Sequence, residues 1–327
     1  MEHINLLPQL VQRIPVHPEH TESSKSSFIE ANTIVGSLEE IKHDHIIPVF
    51  ANNEPLISHA DFIETTSSIA ADLFHGERIL KPDIRVSHAI KGRVPDAKNK
   101  PVNQLMEWEK TLYYERMAFI IEIPSIQAIV DGNLLSLTIG GVKAYNMDSL
   151  YSRSANDQKF KIFIGFKNTV CTNLCVWTDG YMDDVKVKNV GQLKSAIHML
   201  LESYNHEQHL NSMSRLVDYS ITEQQFAHLV GRCRMYNHLP NAVKESISPI
   251  LFGDQQMNMV VKDFYKDNSF CRDVKGNINL WKLYNLFTGS NKCSYIDSFL
   301  DRSVNAFAFI EQVRENLEGS KNSWYLN

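Results

Sequence analysis

The stretch from Phe160 to Trp177 constrains the fold most. Phe160, Ile162, Ile164 and Phe166 recur with a period of two, which places their side chains on one face of a strand. A second run, Val170 to Trp177, follows after a break at Lys167-Asn168, so the pair reads as two strands around a turn. A two-residue turn would set Ile162 opposite Asn173 on the most apolar face. Burying an unpaired amide there costs about 1–3 kcal/mol. A three-residue loop, Lys167-Asn168-Thr169, instead sets Phe166 opposite Val170, Ile164 opposite Thr172, Ile162 opposite Leu174 and Phe160 opposite Val176. A slip of one residue exchanges the faces, so burial selects the three-residue loop, although Thr169 fits its left-handed position poorly. The other face then carries Lys161, Phe163, Gly165, Cys171, Asn173, Cys175 and Trp177. Such a mixed face is expected to meet water, a helix or a ligand.

Around this pair the chain reads as α+β: an antiparallel meander of about five or six strands followed by a helical C-terminal region. Strand patterns cover Glu115–Ile123 up to Pro124, Ser125–Val130 and Leu134–Ile139, the last two joined at Asp131-Gly132-Asn133. Gly140-Gly141 is expected to break or bulge the chain before Val142–Tyr145. Residues 81–111 read as a polar connection. From Gly191 onward the period becomes 3.6, with Leu193, Ile197, Leu200, Leu201 and Tyr204 on one helical face. Helix starts are expected at Ser37 with Glu40, Ser58 with Asp61, Thr222 with Gln225, Asp254, Asn277 and Ser294, and stops near Gly76 and Gly319. Three segments result: an acidic flexible lead over 1–45, a strand-rich body over 46–190, and a helical region over 191–327 packed on or beside the sheet.

Charge and cysteine usage narrow the functional classes. Residues 1–60 hold eight acids and three bases, which accounts for the whole net charge of −5. Bulk charge therefore favours no partner, and only a local patch can. The five cysteines are odd in number and scattered, a poor disulfide framework, so reduced thiols are expected. No apolar run approaches the roughly 18 residues of a membrane span, and the N-terminus lacks a signal-peptide pattern. The expectation is a cytoplasmic protein without a membrane partner.

Cys171 and Cys175, placed on one strand, stand about 13 Å apart, too far to share a metal or a disulfide. His43-Asp44-His45 and His206-x2-His209 lack a matched third ligand and read as solvated surface. Pro82-Asp83 with Glu107-Trp108-Glu109-Lys110 sketches a metal-dependent nuclease, but Glu109 adjoins Lys110 where one residue should separate them. No phosphate loop, nucleophile elbow or zinc helix is present, so no catalytic residue, metal site or cofactor is assigned. The sharpest binding candidate is the basic connection with Lys91, Arg93, Lys98 and Lys100. Beside a sheet bearing Lys161, Phe163 and Trp177, it suits a phosphate backbone with stacked bases.

Two motifs carry a family likeness: Val170-Cys171-Thr172-Asn173, and the segment Asn279 to Thr288 with Trp281, Asn285 and Thr288, followed by Tyr295-Ile296-Asp297. Together they resemble a family of uncharacterised bacterial phage- and plasmid-associated proteins. In that family a Cys-Thr-Asn step lies in a strand and a Trp…Asn…Thr helix lies near the C-terminus. Gly289 stands where the family pattern has an acid. The resemblance implies a mobile-element setting and names no activity. Trp281, Tyr284, Asn285 and Thr288 share one helix face, which reads as packed core. The leading expectation is a non-catalytic module that associates with DNA. The alternatives are an inhibitor or adaptor of a host or mobile-element protein, docking through the acidic lead, and a metal-dependent nuclease.

Overall fold

The computed structural model describes residues 27–44, 56–148 and 157–326. Its strands in chain order are β1 (Ile34–Gly36), β2 (Asp83–Val86), β3 (Ala89–Arg93), β4 (Lys110–Tyr114), β5 (Arg116–Val130), β6 (Asn133–Ala144), β7 (Gln158–Asn168), β8 (Leu174–Cys175), β9 (Tyr181–Val187), β10 (Ser220–Thr222) and β11 (Asn277–Asn279). The helices are α1 (Leu38–Asp44), α2 (His59–Leu73), α3 (Val190–Ser203), α4 (His206–Arg215), α5 (Glu223–Tyr236), α6 (Asn241–Lys244), α7 (Asp254–Lys266), α8 (Leu280–Asn291) and α9 (Ile296–Leu317). The fold is α+β. A seven-stranded antiparallel sheet runs β1-β2-β5-β6-β7, and β8 and β9 share the far edge of β7. Two small ribbons, β3–β4 and β10–β11, stand apart from it.

Alternation along the strands divides the sheet into two faces. Phe119, Ile121, Leu137, Ile139, Phe160, Ile162, Ile164 and Phe166 enter the main core with α2, α3, α8 and the C-terminal half of α9. Ala118, Ile120, Val142 and Phe163 point the other way. They are covered by Phe28, Ile29 and the start of α9 through Ile296, Phe299 and Leu300.

Local signals place several elements as expected. Ser58 caps α2, accepting from the Asp61 N–H at 3.0 Å while Asp61 returns a bond to the Ser58 N–H at 2.9 Å. Thr222 with Gln225 opens α5 in the same way, and Ser37 with Glu40 opens α1. Gly319, at φ +80, follows the end of α9. The Asp131-Gly132 turn has positive φ at both residues (48° and 74°) and joins Val130 to Asn133. That is the turn geometry matched to strand twist.

Other expectations are corrected. Residues 81–111 hold β2, β3 and the start of β4. The sheet also reaches into the acidic lead, where β1 pairs with β2. Pro124 does not end its strand; β5 continues through a register shift between Ile123 and Gln127 that absorbs it. Asn279, not Asn277, caps α8 by accepting from the Lys282 N–H at 2.8 Å, because Asn277 is paired with Thr222 in the β10–β11 ribbon. Gly253 precedes α7 at the cap position and Tyr295 precedes α9.

The hairpin register also differs. The connection after β7 is a four-residue loop, 169–172, and Phe166 lies opposite Cys175. The Asn168 carboxamide oxygen accepts from the Val170 N–H at 3.0 Å. The Asn168 N–H donates to the Asn173 carbonyl at 2.9 Å, and the left-handed position falls on Thr172, at φ 57. The shift from the expected register is odd, so the faces exchange. Leu174 and Val176 join Phe163 on the second face, while Cys175 and Trp177 turn to the main core.

Candidate functional site

From the two sequence motifs, Thr172 and Asn173 on one side and Trp281, Asn285 and Thr288 on the other meet at one buried joint. The Asn173 amide donates to the Asn285 carbonyl of α8 at 3.0 Å, and Asn285 donates in turn to the Trp281 carbonyl at 3.0 Å. Thr288 bonds back to the Tyr284 carbonyl at 3.3 Å. At the end of α8 the Lys292 ammonium reaches the Thr172 hydroxyl at 2.9 Å and the Cys171 carbonyl. Burial lowers the Lys292 pKa, and burial raises the Cys171 thiol to about 11. Asn173, Trp281, Asn285 and Thr288 are all buried, so what covers the Asn173 face is α8 itself. A Cβ at Gly289 would meet the Asn173 amide at 3.8 Å, an ordinary contact. This joint closes a loop onto a helix and buries Asn173, Trp281, Asn285 and Thr288 within it. Cys171 lies in the loop rather than on a strand, and all five cysteines are free thiols.

The expected nucleic-acid residues separate into two groups. Lys91, Lys98 and Lys100 are exposed and Arg93 half-buried, on the β3–β4 ribbon and its loop. Lys161, Phe163 and Trp177 are not part of that surface. Lys161 is buried, paired with Asp301 at 2.5 Å and bonded to the Asp297 carbonyl at 2.8 Å. Phe163 is covered by the start of α9 on the second face, while Trp177 packs against His209 on the other side of the sheet, with ring centres 5.6 Å apart. Neither can stack on a base from the ribbon side. Sequence reasoning missed the aromatic that can: Trp108, 72% exposed, with Val102 at 71% and Met106 at 47% beside it in the chain. Its signal is a tryptophan set among the charged residues Glu107, Glu109 and Lys110.

The ribbon balances part of its own charge. Lys100 pairs with Glu109, Lys110 pairs with Glu107 at 2.5 Å, and Arg93 donates to the Lys100 carbonyl. Glu109 also accepts from the Met106 N–H at 2.9 Å, and the Lys100 bond holds its carboxyl below the usual range. The acids of the nuclease reading are thus engaged within their own loop, while Asp83 belongs to the main sheet. Among the described residues, no three His, Cys, Asp or Glu side chains assemble as a metal set. His209, read from sequence as a surface group, is fully buried.

At the root of the ribbon lies a cleft of about 230 Å³. The lead turn, the β2–β3 connection, the β4–β5 junction and the start of α9 bring Asn32, Thr33, His88, Ile90, Arg116 and Tyr295 to its walls. His88 Nε2 and Asn32 Oδ1 are 3.1 Å apart, and Asn32 holds φ 46. Arg116 stands 3.4 Å from Asp297 and 3.6 Å from Glu115. The Thr33 hydroxyl is buried with no hydrogen-bond partner among the described residues, while Tyr295 is 62% exposed at the rim.

No helix among the described residues is long and apolar enough to cross a membrane. Neither a curated protein nor a solved structure matches the chain. One family model, described as "Domain of unknown function, B. Theta Gene description (DUF3871)", matches residues 11–326. With that match over nearly its whole length, the chain belongs to the DUF3871 family.

Proposed function

We propose that this chain is a non-catalytic module that contacts nucleic acid through the β3–β4 ribbon and its loop. The observation that carries the reading is Trp108, 72% exposed on a projection that also bears Lys91, Arg93 and Lys98. Those three cations enter none of the ion pairs among the described residues. An exposed ring with cations nearby suits base stacking and phosphate contact together. The mobile-element setting implied by the motif resemblance fits such a role, and the genes beside it would test that setting.

A titration with labelled single- and double-stranded oligonucleotides at two salt concentrations tests the function. Affinity is expected to fall with salt, and the slope of log K against log salt to shrink by about two on joint Lys91→Ala and Lys98→Ala substitution. Trp108→Ala is expected to weaken binding about tenfold, within the stacking range of roughly 1–3 kcal/mol. Absence of salt-sensitive binding at low salt ends the proposal.

A second reading, docking to another protein, is favoured by the apolar exposure of Val102 and Met106 and by the internal pairing of Lys100 and Lys110. Apolar surface gathered beside a tryptophan is the composition of a protein hot spot. Salt-insensitive capture of one protein, lost on Trp108→Ala, would choose it.

A further inference from the structure

We infer that the cleft at the root of the ribbon receives a single unstacked nucleobase, making single strands the ligand class. This rests on the nucleic-acid reading above and deepens it. Size limits the occupant first. About 230 Å³ lies below the roughly 300–1,000 Å³ of pockets for drug-sized ligands, and suits one planar ring. Charge limits it next. Arg116 is flanked by Glu115 and Asp297, so the cleft offers no net positive charge to a phosphate. It offers instead the mixed donors and acceptors that a base edge needs. The Asn32 amide nitrogen donates, the Glu115 carboxylate accepts, and the Thr33 hydroxyl, without a partner among the described residues, does either. Tyr295 presents its ring at the rim, and Ile90 and Ile296 supply apolar wall.

The phosphates then belong on the ribbon. Lys91 follows Ile90 directly in β3 and, by strand alternation, projects from the other face, with Arg93 on that same side. A strand whose base enters the cleft crosses the β3 edge to reach them. A duplex cannot make this contact, because its bases are stacked and paired, and flipping one out costs a few kcal/mol.

The test compares a single-stranded decamer with a duplex of the same sequence at one salt concentration, using the full chain. Two substitutions spare the fold. Tyr295→Ala alters an exposed side chain that makes no cap hydrogen bond, and Asn32→Gly keeps the left-handed backbone while removing the amide. The single strand is expected to bind at least tenfold tighter than the duplex, and each variant to lose about tenfold for the single strand alone. Equal or tighter duplex binding overturns the inference. So does single-strand binding that both variants leave unchanged while Lys91→Ala with Lys98→Ala weakens it; in that case the nucleic-acid reading survives. Binding of neither oligonucleotide overturns both.

Discussion

His209 shows how far one side chain departs from its sequence setting. Four polar neighbours in the chain suggest a surface, yet the imidazole is fully buried between Trp177, Phe166 and Phe307. Its Nδ1 shares a 2.6 Å hydrogen bond with the Tyr204 hydroxyl, and burial drives its pKa down to about 3. The folded state therefore keeps it neutral while the unfolded chain protonates near pH 6.5. Its contribution is fully present above pH 6.5 and is lost as pH falls from there toward 3. Between pH 6.5 and 5 that loss is about 2 kcal/mol, at roughly 1.4 kcal/mol per unit. Urea unfolding of the native chain and of His209→Phe at pH 7.5 and 5.0 measures it. The variant starts less stable, because the Tyr204 hydroxyl loses its partner, but should lose about 2 kcal/mol less on acidification. Equal losses would assign the acid sensitivity to other groups.

At the scale of elements, β6 is the instructive case. Its two adjacent glycines suggest a break, yet the strand runs unbroken from Asn133 to Ala144, and at both glycines it keeps regular register with β5 and β7. The glycines serve close approach instead. A Cβ on Gly141 would lie 2.4 Å from the Phe62 ring of α2 and 2.6 Å from the Lys161 carbonyl. Gly141→Ala is thus expected to cost about 1–3 kcal/mol or more through overpacking. Phe62→Leu should recover part of that cost in the double variant, since the ring gives way while the carbonyl does not. Additive losses in the unfolding free energies would count against the contact. The same distinction explains what the sequence made legible. Ser58 with Asp61 and Thr222 with Gln225 are signals three residues long, satisfied within one turn, and they placed α2 and α5. β2 and β9 carry charged residues on their outer positions, and β1 has only three residues. Their pairing is supplied by partners far along the chain. The joint between Asn173 and Asn285 spans 112 residues, so the motif could be read but not its contact.

At the scale of the whole molecule, the lead and the last two helices lock together across the second sheet face. Phe28 and Ile29 are buried there, with the Phe28 ring 6.0 Å from that of Phe299. The Glu30 and Ala31 N–H groups both donate to the Lys292 carbonyl, at 2.8 and 3.1 Å, and the Ser27 carbonyl accepts from Thr172 at 3.1 Å. Composition marks residues 27–44 as a polar lead, but their few apolar side chains complete a core cluster and their backbone supplies the sheet's edge strand. A chain beginning at residue 45 should lose about 3–6 kcal/mol from the two apolar side chains alone, at roughly 1.5–3 kcal/mol each. It also leaves β2 with an unpaired edge, a template for intermolecular pairing. Urea midpoints and sedimentation of chains starting at residues 1, 27 and 45 separate the two effects. The start at 27 keeps Phe28, Ile29 and β1, and beside it the start at 45 should be both less stable and self-associating. If all three unfold alike, the lead is not part of the fold's support, and the second face must draw its cover from α9 alone.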